Sequence, residues 1–162
     1  MSALIDISIE SPRWADFPAA EQTVRGAIGA AFVAVEADGA EVSVVLADDA
    51  RIRELNRTWL GKDKATNVLS FPSPCGPSGE PRFLGDIVLA FETIEREAGT
   101  EGKPLAHHVA HLAVHGVLHL LGYDHERNSE AEKMERRERF ILAQLGIADP
   151  YAPAEERRTE TA

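Results

Sequence analysis

All six histidines of the 162-residue chain fall between His107 and His125. At about 100° per residue, His108, His111, His115 and His119 share an arc of roughly 80°, while leucine, valine and alanine fill most of the remainder. The pattern predicts a buried helix with one polar stripe. His115 and His119, one turn apart, project side chains separated by about 5 to 6 Å, from which two imidazoles can share one metal ion. Gly122 can reverse the chain and return His125 to the same point, completing H-x3-H-x5-H. Three neutral imidazoles leave a tetrahedral position open for water, as in a catalytic zinc site. We therefore expect one Zn2+ per chain on His115, His119 and His125, with nickel or copper able to occupy the same nitrogens in vitro. Asp124 and Glu126 flank His125 and could orient an imidazole through its second nitrogen. His111, a turn before His115, lies beyond the reach of that ion and is expected to line the cleft, as a catalytic candidate rather than a ligand. Polar core histidines are the alternative reading, and His107 and His108 are given no other.

Metallopeptidases with this ligand spacing carry H-E-x-x-H, where the glutamate deprotonates the zinc water. Gly116 occupies that position here, so peptide hydrolysis lacks its usual base. Phosphodiester cleavage asks less of a separate base, but needs cations for the charge that develops on phosphorus. From Arg51 to Lys64 five basic residues meet only Glu54 and Asp63, a local charge of +3. Arg53, Arg57, Lys62 and Lys64 are the candidate phosphate contacts, in a chain whose net charge is −10. Trp59 could stack on a base, but its spacing from Ile52 and Leu55 predicts a core position.

Elements must hold these residues in place. Ile5, Ile7 and Ile9 alternate as a first strand, and Pro12 and Pro18 break it. Val24 to Val35 has helical spacing, closed by Asp38-Gly39. Val42 to Ala47 reads as a buried strand. Asp48 or Asp49 caps a helix carrying Ile52, Leu55 and Trp59 and ending at Gly61. Val68 to Phe71 and Asp86 to Phe91 are strand candidates joined across a proline- and glycine-rich loop that contains Cys75. A short helix near Glu92 to Ala98 precedes the histidine helix, which Pro104 opens and Gly122 ends. Ser129 and Glu132 have capping-box spacing before a last helix with Met134, Ile141, Leu142 and Leu145, stopped by Gly146. The sum is an α/β (α+β) fold, a small mixed sheet of about four strands packed with helices, with the zinc site at the end of a buried central helix. Residues 1–151 are expected to form a single domain and 152–162 a flexible tail.

Lysine and arginine total 17 against 27 acidic residues, which argues against a wholly basic nucleic-acid wrapper or a polybasic membrane binder. The apolar share of 44% and charged share of 27% are those of a globular domain. One cysteine permits no intrachain disulfide, and no signal-peptide pattern opens the chain, so a cytoplasmic location is expected. Pro104 to Tyr123 has no formal charge, but its five histidines argue against a membrane span.

The run His115-Gly116-Val117-Leu118-His119-Leu120-Leu121-Gly122-Tyr123-Asp124-His125 resembles the signature H-G-x-L-H-L-x-G-Y-D-H of the YbeY family, bacterial endoribonucleases of ribosomal RNA maturation. Further pieces agree in order: Leu55-Asn56, Gly61-Lys62-Asp63, Thr66 to Pro72, Leu84-Gly85-Asp86-Ile87, and Gly146 with Asp149-Pro150-Tyr151. The resemblance spans Val42 to Tyr151. It implies zinc held by the three histidines, an α/β fold, and action on single-stranded RNA, in particular a ribosomal RNA precursor. The small ribosomal subunit and its proteins are implied partners, with no DNA. It also implies that Asp86 is a catalytic-site residue, a turn or strand-end cap being the alternative, with Asn67 and Ser70 as weaker candidates. Two positions depart from the family. Leu60 stands where an arginine is usual, and Ala65 replaces a common proline. Leu60 is the reason to keep a rival reading, a non-catalytic zinc-containing ribosome-assembly factor.

Overall fold

Valine, isoleucine and leucine at alternate positions build the centre of the sheet, because successive strand side chains point to opposite faces. The computed structural model of the chain describes residues 4–37, 39–74, 83–124 and 127–152. Strands β1 (Leu4–Ile9), β2 (Glu41–Ala47), β3 (Val68–Pro72) and β4 (Phe83–Ala90) form one sheet in the order β1-β2-β4-β3. β1 runs parallel to β2 and β2 to β4, while β3 pairs antiparallel with β4, Ser70 opposite Ile87. This is the small mixed sheet expected from the sequence. The helices are α1 (Ala20–Ala34), α2 (Asp49–Leu60), α3 (Phe91–Glu101), α4 (Leu105–Leu120) and α5 (Asn128–Gln144), and a 3-10 turn spans Pro12–Asp16.

The two faces of the sheet are covered unequally. Val42, Val44, Leu46, Ile87 and Leu89 belong to the main core with the apolar faces of α1, α4 and α5. On the other face Ala47, Val88 and Ala90 meet Ile52 of α2 in a much smaller core, with Leu55, Leu69 and Phe71 packed partly buried against it. α4 is the central helix and buries 11 of its residues, among them Val109, Val114, Val117 and Leu118. Gly116 presses it onto the sheet, and the Ser70 hydroxyl donates to the Gly116 carbonyl at 3.1 Å. Pro104 stands at the N-cap of α4. Gly122, at φ +101°, reverses the chain after its C-terminus, and the Tyr123 amide donates to the Leu118 carbonyl at 3.0 Å.

Four expectations need correction. Asp48 is the N-cap of α2, accepting from the Arg51 amide at 2.8 Å, but burial along α2 ends at Asn56. Among the described residues the last turn of α2 is left uncovered, and Trp59 is 68% exposed rather than core. β4 begins at Phe83, so Asp86 lies inside the strand, where Gly85 at φ +143° and a register shift against β2 accommodate the local bend. α3 is longer than expected and starts at Phe91, which ends the strand one residue early. The capping box of the last helix is not used: α5 starts at Asn128, so Ser129 lies within it, and the Arg127 N-cap makes no side-chain bond. His125, Cys75 and the tail from residue 153 lie outside the described residues.

A methyl group at Gly116 would sit 3.1 Å from Ile87 Cγ2 and 3.2 Å from Ser70 Oγ. Gly116→Ala is therefore expected to destabilise the fold by about 1 to 3 kcal/mol through overpacking, read by chemical denaturation. An unchanged midpoint would show that α4 is free to lift from the sheet.

Candidate metal centre

His115 and His119 leave α4 from successive turns and bring their Nε2 atoms to 3.1 Å from each other. Two nitrogens bound to one tetrahedral zinc at about 2.0 to 2.1 Å stand about 3.3 Å apart, so the pair is nearly preset for a shared ion. What holds His115 in that pose comes from another helix. Its Nδ1 lies 3.0 Å from Glu138 Oε1 on α5, and His111 Nε2 lies 2.9 Å from the same oxygen. The Tyr151 hydroxyl donates to Glu138 Oε2 at 2.8 Å. Glu138 is fully buried, so the network assigns N–H donors to His111 Nε2 and His115 Nδ1. That tautomer leaves the lone pair of His115 on Nε2, toward His119.

Burial alone would raise the Glu138 carboxyl, but the hydrogen bonds it accepts from His111 and His115 outweigh it and hold the group down at about 2. The Tyr151 phenol is driven the other way, first by burial and then by the charge of Glu138, so it stays a donor. His111, His115 and Glu138 bring one ligand atom each within 4.8 Å, so a His/Glu group able to hold a metal ion is present. Of the expected trio, the structure brings His115 and His119 together; His125 is not among the described residues.

The polar stripe continues along α4. His108 Nε2 lies 2.8 Å from Glu97 Oε1, and the Asn67 amide donates to that oxygen at 2.9 Å. Burial lowers the His108 pKa, partly offset by Glu97. A cavity of about 320 Å³ runs past His108, His111 and His115, walled by Asn67 and Val68 on one side and Pro150 and Tyr151 on the other. His111 thus lines the cleft, as expected from its spacing.

The basic residues gather elsewhere. α2 carries Arg53 and Arg57 on the sheet face opposite α4. Arg53 is bound to Asp63 by two contacts of 2.9 and 3.3 Å, and this hydrogen bonding with its charge raises the arginine pKa and lowers the aspartate's. Arg51 reaches Glu10 at 3.5 Å and Glu54 at 3.4 Å. Among the described residues, Arg57, Lys62 and Lys64 have no ion pair. Lys64 lies three residues before Asn67 of the cleft wall. Asp86 is not brought to the histidines. It shares the face of Val88 and lines a groove of about 450 Å³ with Glu10, Arg51, Leu55, Trp59 and Phe71. Leu60 is 53% exposed at the end of α2.

Sequence reasoning missed Glu138 and Tyr151. The signal for Glu138 was an acidic residue in the apolar stripe of the last helix, at helical spacing from Met134, Ile141 and Leu142. Tyr151 sat in a segment matched to the family without a role.

The family described as Endoribonuclease YbeY matches residues 9–146 of the chain. A relative of that name from Rhodopseudomonas palustris is 57% identical over 152 residues, covering 91% of this chain and 80% of the relative. Another from Nitrobacter winogradskyi is 54% identical over 157 residues, covering 93% of this chain and 83% of its own length. A solution structure of a Thermotoga maritima protein is similar with a TM-score of 0.55 and 22% identity, over 92% of this chain and 99% of that one. That likeness concerns the fold.

A carboxyl depressed on folding contributes stability that is complete above its ordinary 4.5 and is lost as pH falls toward about 2. For Glu138 the contribution is roughly 3 kcal/mol. Acid titration of the metal-free protein is expected to show a steep loss in this window, flattened in Glu138→Gln. Parallel curves for the two proteins would refute that role.

Proposed function

The chain belongs to the Endoribonuclease YbeY family, and on that premise we propose that it is a zinc-dependent endoribonuclease of single-stranded RNA, acting in the cytoplasm on a ribosomal RNA precursor. The observation that carries the metal part of this reading is the facing Nε2 pair of His115 and His119, with His115 held from behind by a buried carboxylate. His125 is the proposed third ligand. The Nε2 pair suits a borderline ion such as zinc, and Glu138 supplies the orienting carboxylate commonly found behind a zinc-bound imidazole. When bound, zinc supplies a water acidified to a pKa of about 7 and polarises a phosphoryl oxygen.

The chain's own residues do the rest. His115 and His119 present lone pairs, and Glu138 keeps the His115 proton on Nδ1. His111 has its N–H committed to Glu138, so it acts by fixing that carboxylate and shaping the cleft rather than by moving a proton at Nε2. Arg57, Lys62 and Lys64 are the proposed phosphate contacts, Arg57 from α2 and the two lysines from the chain that leads into β3. Arg53 acts mainly by tying that loop to α2 through Asp63. Asp86, which lines the groove on the other face of the sheet, is left out of the chemistry at the histidines. Unpaired RNA suits this site because its backbone can bend a phosphate toward the histidines, which a duplex resists. The small ribosomal subunit is the proposed setting. No helix among the described residues is long and apolar enough to cross a membrane.

The exposed Leu60 favours one rival, an assembly factor that binds without cutting. Metal analysis with cleavage of a single-stranded RNA separates the two. His119→Ala is expected to lose both zinc and cleavage, and Leu60→Arg to raise cleavage roughly tenfold by adding a phosphate contact at the end of α2. Zinc and cleavage unchanged in His119→Ala would overturn the assignment. Bound zinc with no cleavage by wild type or Leu60→Arg would leave the assembly factor.

A further inference from the structure

The carboxylate behind His115 is itself held from the far side, by a segment that follows the last helix. Glu138 Oε1 meets His111 Nε2 and His115 Nδ1, and Oε2 meets the Tyr151 hydroxyl at 2.8 Å. Tyr151 is in turn fixed by the turn before it. Asp149 Oδ1 accepts from the Tyr151 amide at 2.9 Å and from Arg139 Nε at 3.2 Å. The Arg139 guanidinium lies 5.3 Å from the centroid of the Tyr151 ring. Arg139 directly follows Glu138 on α5, so one turn of helix supplies both the carboxylate and the clamp for the tyrosine that steadies it.

We propose that Tyr151 is a positioning residue of the metal centre, locking the rotation of the Glu138 carboxylate so that Oε1 stays aligned with His115 Nδ1. The inference rests on the reading of His115 and His119 as ligands. Its physical basis is the burial of Glu138. The Glu138 side chain is 1% exposed, and the tyrosine hydroxyl is the donor that meets its Oε2. Without that donor the carboxylate turns to satisfy both oxygens from the two imidazoles, and His115 loses its fixed ring angle and tautomer. The aromatic ring also packs edge-on against His111, with centroids 5.4 Å apart, so the phenyl ring alone retains the packing while the hydroxyl is removed.

Tyr151→Phe isolates the hydroxyl. The test measures zinc affinity by chelator competition for wild type, Tyr151→Phe, Glu138→Gln, the double variant and His119→Ala, with metal-free thermal unfolding alongside. Tyr151→Phe is expected to weaken zinc about tenfold, within the range for lost outer partners of a ligand. Because the tyrosine acts through Glu138, the double variant is expected to bind no more weakly than Glu138→Gln alone. Cobalt substituted for zinc is expected to show a shifted visible spectrum in Tyr151→Phe, which a loss of stability alone would not produce. Wild-type affinity and spectrum in Tyr151→Phe, or losses that add in the double variant, would overturn the role of Tyr151 while leaving the ligands standing. Zinc binding absent from wild type, or retained in His119→Ala, would instead overturn the metal reading beneath it.

Discussion

A carboxylate taken out of water costs several kcal/mol unless its lone pairs find charged or polar donors. Glu138 meets that requirement with His111 and His115 from α4 and with Tyr151 from the chain after α5. The requirement runs in both directions. The imidazoles need the carboxylate to settle which nitrogen carries the proton, and the tyrosine hydroxyl, lining a narrow cleft, needs an acceptor. Removing the carboxylate leaves two imidazole N–H groups and a phenol without their acceptor, so one interaction ties the packing of α5 on α4 to the tautomer of His115. Stability and function draw on the same oxygen atoms here.

That network works because α4 cannot move. Its apolar faces lie in the main core between the sheet and α1, and Gly116 lets its backbone approach Ile87 and Ser70. The histidine stripe is what remains facing away from the core. It opens beside the edge strand β3, where no further strand covers Asn67 and Val68. Among the described residues α2 is the helix that covers the opposite face of the sheet, with Trp59 in solvent and Asp86 in a separate groove. The two faces of the sheet therefore carry separate concave surfaces, and the histidines line those on the α4 side.

Much of this was legible from residue spacing. The alternation in β1 and β2, the Asp48 cap, the Gly61 and Gly122 reversals and the His115/His119 pair all follow from local rules, because each depends on residues within a few positions of one another. What escaped depended on contacts distant in sequence. Trp59 fits the periodicity of a core residue, yet periodicity does not reveal whether anything lies opposite the last turn. Asp124 and Glu126 were candidate orienting groups because they adjoin a histidine, whereas the carboxylate that orients His115 lies 23 residues away on another helix. A glutamate within an apolar stripe was the available clue, since a charge there demands partners that the stripe itself does not contain. Tyr151 carried no comparable clue, its hydroxyl being placed by a turn that only the fold brings back.

The absence of a glutamate after the first histidine now has a structural reason as well as a chemical one. Position 116 points about 100° round the helix from His115, toward the sheet and away from the cleft. A Cβ there already crowds Ile87 and Ser70, so a carboxylate could enter only by parting α4 from β3 and β4. The close helix–sheet contact that makes the histidines rigid is thus incompatible with the general base of a zinc peptidase. A chain committed to this packing has no room for a base at position 116, and its sequence concentrates cations outside α4, in the +3 segment from Arg51 to Lys64. Phosphodiester cleavage is the chemistry that such a division of labour serves.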